Sequence, residues 1–196
     1  MNDKKCDREG KIDMYIFFSD EIAVRKINND QNDKNLLLKW LTNPKLIELA
    51  WGEDAPWDSQ KIEENFFEEA IENSSEAACI IEYKNREIGY IQYYTLDENS
   101  YRFNSKVPYE KFLGGYGIDL FIGDHELWGK GIGTDIIKAM ASYLTDTLGA
   151  KVVCADPEEN NKRSVQSFTK AGFSQMGKIQ NYDEPDKNSI LMAVFK

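Results

Sequence analysis

Three glycines, Gly129, Gly131 and Gly133, fall within the seven-residue run Trp128-Gly129-Lys130-Gly131-Ile132-Gly133-Thr134. Such a turn lets backbone N–H groups approach a ligand closely, and a helix starting behind it adds the positive end of its dipole, a combination suited to a diphosphate. Glycine-rich turns also occur with no ligand, so the turn alone leaves both readings open. It is not a Walker loop, because no Gly-Lys-Ser/Thr ends it. Just upstream, Gly117-Ile118-Asp119-Leu120-Phe121-Ile122 reads as a strand that puts Asp119 on the same face as Gly117 and Phe121. A carboxylate in such a place can anchor an ammonium group and help remove its proton, directly or through water, which makes Asp119 the candidate base. His125, in the intervening loop, reads as an exposed residue or one at the phosphate edge, not as the base.

Composition narrows the partners. The chain has 196 residues and a net charge of −10, from 34 acidic against 24 basic side chains. Nucleic acid is a poor fit, because phosphate backbones demand clustered Lys and Arg. A cationic ligand is easier to accommodate, although net negative charge also simply promotes solubility. Cys6, Cys79 and Cys154 are odd in number and scattered, and His125 is the single imidazole, which argues against both a disulfide framework and a metal site. No apolar run approaches the roughly 20 residues needed to span a bilayer, and the charged first ten residues do not resemble a signal peptide. The expectation is a soluble, cytoplasmic protein, monomeric or homodimeric.

The elements that must position these residues follow from periodicity. Residues 1–18 read as an irregular extension and residues 19–196 as a single domain. Alternation over 21–27 predicts a first strand. A helix capped by Asp30 or Asn32 follows, carries Leu36, Leu37, Trp40 and Leu41, and is stopped by Asn43-Pro44. A second helix starts at Asp58 or Ser59 with Ile62, Phe66, Phe67, Ala70 and Ile71 on one face, and residues 50–57 read as the loop between the two. Runs over 77–83 and 87–96 form a hairpin, 97–111 is polar and irregular, and a strand covers about 115–122. The helix over 131–148 carries Ile132, Ile136, Ile137, Met140, Tyr143, Leu144 and Leu148 on its buried stripe. A strand at 151–155, a helix at 161–171 and two strands near 173–179 and 189–195 complete an α/β domain with a mixed, mostly antiparallel central sheet flanked by helices. These elements are not a parallel crossover series, so a Rossmann reading of the turn fails.

In this setting the turn resembles the acetyl-CoA loop of the GNAT superfamily, Q/R-x-x-G-x-G/A, with Gly131 and Gly133 at its two glycines and Trp128 in place of the Gln or Arg. The strand with Asp119, followed at this spacing by Lys130-Gly131-Ile132-Gly133-Thr134, looks more narrowly like the aminoglycoside 6′-N-acetyltransferases. Two further blocks are similar to that family: Ile88-Gly89-Tyr90-Ile91-Gln92-Tyr93-Tyr94, and Asp156-Pro157 with Asn161, Phe168 and Ala171-Gly172-Phe173. Together the resemblances cover about residues 21–195.

The resemblance implies a GNAT-type fold and direct acetyl transfer from acetyl-CoA to an amine of a cationic aminoglycoside, with Asp119 binding that amine and taking its proton. It implies that the cofactor lies against Phe121, Ile122, Trp128, Gly129, Lys130, Gly131, Ile132, Gly133 and Thr134, with Lys130 supplementing the amides, Asn161 contacting the pantetheine and a backbone N–H near Phe121 serving the oxyanion. Trp51, Glu53, Gln92, Tyr94, Asp97, Asp156 and Asp186 stand at places resembling acceptor contacts. Phe168 occupies the position of a Tyr near the coenzyme sulfur, so the usual general acid is missing there, and solvent or an unaligned residue such as Tyr182 takes its role. Two alternatives stand beside this reading: acetylation of a polyamine, a siderophore precursor or a protein N-terminus, and a catalytically silent acyl-CoA sensor.

Overall fold

The computed structural model describes residues 15–19, 21–50, 57–68, 77–181 and 187–196. Eight strands among them form one sheet in the order β1-β2-β3-β4-β5-β6-β8-β7. These are β1 (Tyr15–Phe18), β2 (Ile22–Lys26), β3 (Ala77–Tyr83), β4 (Arg86–Thr95), β5 (Tyr116–Ile122), β6 (Val152–Ala155), β7 (Ser174–Gln180) and β8 (Asn188–Phe195). Every neighbouring pair is antiparallel except β5 and β6. That parallel ladder covers Tyr116↔Val153 and Gly117↔Cys154, while β5 runs on to Ile122, so the sheet opens there at its middle.

Helices lie on both faces. On one face, α1 (Gln31–Leu41), α2 (Pro44–Ala50) and α3 (Ser59–Glu63, passing into a π turn at Glu64–Glu68) build a core from Leu37, Trp40, Leu41, Ile62 and Phe67 over Ile80, Tyr90 and Phe121. The opposite face is covered by α4 (Ile132–Asp146) and α5 (Lys162–Lys170), which bring Ile136, Ile137, Met140, Val165 and Phe168 onto Ile81, Ile91 and Ile118. Tyr101 and Val107, from the stretch expected to be irregular and polar, join Phe112 just beyond it to close a third core over β6, β7 and β8. A buried ion network ties α1 to the sheet: Arg25 on β2 donates twice to Asp33 at 2.7 Å, sits 3.4 Å from Glu82 on β3, and Glu82 accepts from the Tyr15 hydroxyl at 3.1 Å.

The sheet and the order of elements match the expected class, with three local differences. Tyr15–Phe18 is not part of a loose extension but an edge strand, since its apolar run pairs with the otherwise open edge of β2. Pro44 does end the first helix but also begins α2, because proline lacks only an N–H that is unused at a helix start, and the Asn43 side chain caps the new turn through Lys45 N at 3.1 Å. Leu148 is 38% exposed instead of buried, as α4 ends at Asp146. The helix expected to run on through Ala70 and Ile71 is described only as far as Glu68.

Candidate active site

The glycine turn owes its shape to backbone conformation. Gly129 and Gly131 have φ of +75° and +86°, a region that disfavours a β-carbon, while space around both is open. Gly131 caps α4, and the first-turn amides of Ile132, Gly133 and Thr134 have no acceptor within the helix. Trp128 is pinned beneath the turn by its indole N–H, which donates to the Ile122 carbonyl at 2.7 Å.

A cavity of about 260 Å³ opens between this turn, the end of β5 and the outer face of α5. Of the residues expected at the cofactor, Phe121, Ile122, Trp128, Gly129, Gly131, Ile132, Gly133, Thr134 and Asn161 line it. Lys130 is exposed and Phe168 is buried against Phe173 with ring centroids 5.1 Å apart, and neither belongs to the lining. Asn161 caps α5 by accepting from Ser164 N at 3.1 Å, so a second helix start faces the same space. Arg163, Ser164, Ser167 and Lys170 on α5 also line the cavity and had not been singled out from the sequence. The signal was there in part: positions 163, 167 and 170 recur at helical spacing behind the Asn161 cap.

Asp119 stands on the α1 side of β5, half-buried, two residues before Phe121 and so about 6.6 Å from it along the strand. Its cross-strand partner is Gln92, whose Nε2 donates to Asp119 Oδ2 at 2.9 Å. The Tyr90 hydroxyl in turn donates to Gln92 Oε1 at 2.7 Å. Tyr90 is buried, with Phe66 edge-on at 5.0 Å and Phe121 stacked at 5.7 Å. Burial, then Cys79 and Asp119, pushes its phenol well above the ordinary tyrosine range, which keeps the proton that orients the Gln92 amide.

Tyr94 lies on the same face, with its ring directly over Gly117, where a β-carbon would come within 2.3 Å of it. Its hydroxyl donates to that of Tyr101 at 3.2 Å. Both phenols are held far above the usual range, first by burial and then by surrounding negative charge that for each includes Asp119 and Asp156. Gln92, Tyr94, Asp119 and Asp156 are thus gathered in one neighbourhood. Asp97 is exposed and accepts from Asn99 N at 2.8 Å and Ser100 Oγ at 2.9 Å, which holds its carboxylate below the ordinary range and closes its own turn. Trp51, Glu53, Tyr182 and Asp186 lie outside the described residues. His125 packs edge-on to Trp128 at 6.1 Å, beside the turn.

The cavity has amides and cations at one end and apolar walls from Leu120, Ile122, Leu127 and Ile137 alongside. That composition suits a long ligand with a phosphate end and a thin uncharged arm leading toward β5. No group of His, Cys, Asp and Glu among the described residues is arranged to hold a metal. No helix among them is long and apolar enough to cross a membrane.

The model of the acetyltransferase (GNAT) domain matches residues 29–181. Aminoglycoside N(6′)-acetyltransferase type 1 of Klebsiella pneumoniae is 25% identical over 167 residues, 85% of this chain and 81% of that protein. A kanamycin resistance protein of Rhizobium radiobacter is 31% identical over 69 residues, 35% of this chain and 64% of that protein. Among solved structures, AAC(6′)-Ib in complex with ribostamycin and coenzyme A shares the fold with a TM-score of 0.74 at 23% identity, covering 90% of this chain and 94% of that one. Spermidine N-acetyltransferase from Vibrio cholerae, in complex with CoA and spermine, shares it at 0.67 and 14%, covering 90% and 96%. With a family match across most of its length, the chain belongs to the GNAT acetyltransferases and is an acetyl-CoA-dependent acyltransferase.

Proposed function

We propose that this chain acetylates an amine of a polycationic aminoglycoside, the 6′-amine in the closest reading, and so confers resistance to such antibiotics. One observation carries the reading: the Asp119 carboxylate, held by Gln92 at 2.9 Å, stands on β5 immediately before Leu120 and Phe121 in the wall of the cavity behind the glycine turn. Carboxylates attract ammonium groups and aromatic walls suit sugar faces. A relative that acts on aminoglycoside 6′-amines aligns with most of the chain.

Acetyl-CoA supplies an activated acetyl thioester, and the chain's own residues do the rest. The amides of residues 129–134 and the two helix starts hold the phosphates, and Asn161 holds the arm. Asp119 binds the ammonium form of the acceptor, accepts its proton directly or through water, and leaves a neutral nucleophile beside β5. Gln92 keeps the carboxylate aimed through its bond to Oδ2. A backbone N–H near Phe121 stabilises the oxyanion. Because Phe168 carries no hydroxyl to serve as an acid, solvent protonates the departing thiolate, a good leaving group.

The test is a thiol-release assay with acetyl-CoA against aminoglycosides, polyamines and peptides. We expect turnover with aminoglycosides and a loss of about 10²–10⁴-fold in Asp119→Asn, the usual worth of general base catalysis. Turnover confined to polyamines or peptides would overturn the acceptor, and full activity in Asp119→Asn would overturn the base.

A further inference from the structure

Arg163, on the first turn of α5, lies over the face of Trp128 with its guanidinium carbon 4.5 Å from the ring centroid. Trp128 is itself fixed by the bond from its indole N–H to the Ile122 carbonyl, so this contact joins α5 to the glycine turn across the mouth of the cavity. Both side chains line that cavity. A guanidinium that stacks uses its face, and its five N–H groups stay in the plane, available to oxygens. No ion pair among the described residues involves Arg163, although the chain is strongly acidic. Lys130, the cation inside the turn, is exposed and off the cavity wall. The cation that stacks on the turn's Trp128 and faces the cavity is therefore one from 33 residues beyond Lys130.

We propose that Arg163, held in place by Trp128, is a phosphate-binding residue that clamps the diphosphate of acetyl-CoA from α5 while the turn's amides hold it from α4. This rests on the reading that the cavity holds acetyl-CoA. Stacking fixes the guanidinium before the ligand arrives, so less freedom is lost on binding, and the planar fork matches two phosphate oxygens at once. Lysine in the same place keeps the charge and loses both the stack and the fork.

The test is calorimetric titration of the full chain and its Arg163→Ala, Arg163→Lys and Trp128→Phe variants with acetyl-CoA and with acetyl-dephospho-CoA, which keeps the diphosphate and lacks the 3′-phosphate. Turnover with S-acetylpantetheine, which lacks both, is measured alongside. Arg163→Ala is expected to weaken both coenzymes about 10- to 100-fold, the worth of a charged hydrogen bond. Arg163→Lys falls between it and the wild type, Trp128→Phe loses less than Arg163→Ala, and kcat/KM for S-acetylpantetheine stays the same in the Arg163 variants. Unchanged coenzyme affinity in Arg163→Ala, or an equal loss with S-acetylpantetheine, would overturn the proposal. A loss that disappears with acetyl-dephospho-CoA would move Arg163 to the 3′-phosphate and overturn the diphosphate assignment. A wild-type chain that binds none of these would instead overturn the cofactor site.

Discussion

Asp119 is held as well as placed. A glutamine amide can present either its NH₂ or its carbonyl to a neighbour, and a carbonyl facing a carboxylate would repel it. The Tyr90 hydroxyl settles the choice by donating to Gln92 Oε1, which turns Nε2 toward Asp119. Replacing Gln92 with Leu removes a hydrogen bond to a charged group, worth about 1.5–3 kcal/mol, so kcat/KM for the acceptor should fall roughly 10- to 150-fold while KM for acetyl-CoA holds. Tyr90→Phe should cause a smaller loss in the same parameter, since the amide remains but is free to turn. Steady-state kinetics with each substrate varied in turn would check both, and an unaltered kcat/KM in Gln92→Leu would show that Asp119 needs no such support.

At the scale of elements, the site depends on two places where a β-carbon is excluded for different reasons. At Gly131 the obstacle is φ, so Gly131→Val should strain the turn by about 1–2 kcal/mol and raise KM for acetyl-CoA, with little effect on acceptor affinity at saturating coenzyme. At Gly117 the obstacle is the Tyr94 ring, so Gly117→Val should displace that ring and raise KM for the acceptor instead. Kinetics showing the two effects exchanged, or both absent, would contradict this division of the site. The turn and strand were legible in the sequence because glycine spacing and period-two alternation are local patterns. Arg163 was not, because its stack on Trp128 joins residues 35 positions apart and depends on how α5 packs beside α4. Phe168 was matched by motif to a place near the sulfur, yet burial of its ring with Phe173 follows from the apolar stripe of α5, which the motif does not report. Tyr101 was hidden in a polar stretch, where Tyr101, Phe103 and Tyr109 are spaced too irregularly to give a helix or strand period. Tyr15–Phe18 is too short to read as a strand without the edge of β2 that it completes.

Across the whole molecule, the face that carries Asp119 is braced by α1, and α1 is tied to the sheet through the buried Arg25–Asp33–Glu82 network. Asp33 is fully buried and also accepts from Asn28 N at 2.7 Å. Removing it leaves the Arg25 cation buried without its closest partner, a loss of about 3–5 kcal/mol. For a chain of this size Asp33→Ala should lower the melting temperature by about 6–20 °C, read by circular dichroism, and a drop under 2 °C would show that the network does not brace the fold. Net negative charge, neutral as a clue by itself, gains meaning from Asp119, which stands on β5 one residue before Leu120 in the wall of a cavity also lined by Arg163 and Lys170. On the proposed reading the molecule sorts its charges, cations toward the phosphates of acetyl-CoA and carboxylates toward the amine acceptor. A crystal structure of the chain with coenzyme A and an aminoglycoside tests this arrangement most directly. The account predicts the diphosphate against the amides of residues 129–134 and an acceptor amine within hydrogen-bond reach of Asp119, on the side where the sulfur emerges; coenzyme seated elsewhere, or an amine held away from Asp119, would contradict it.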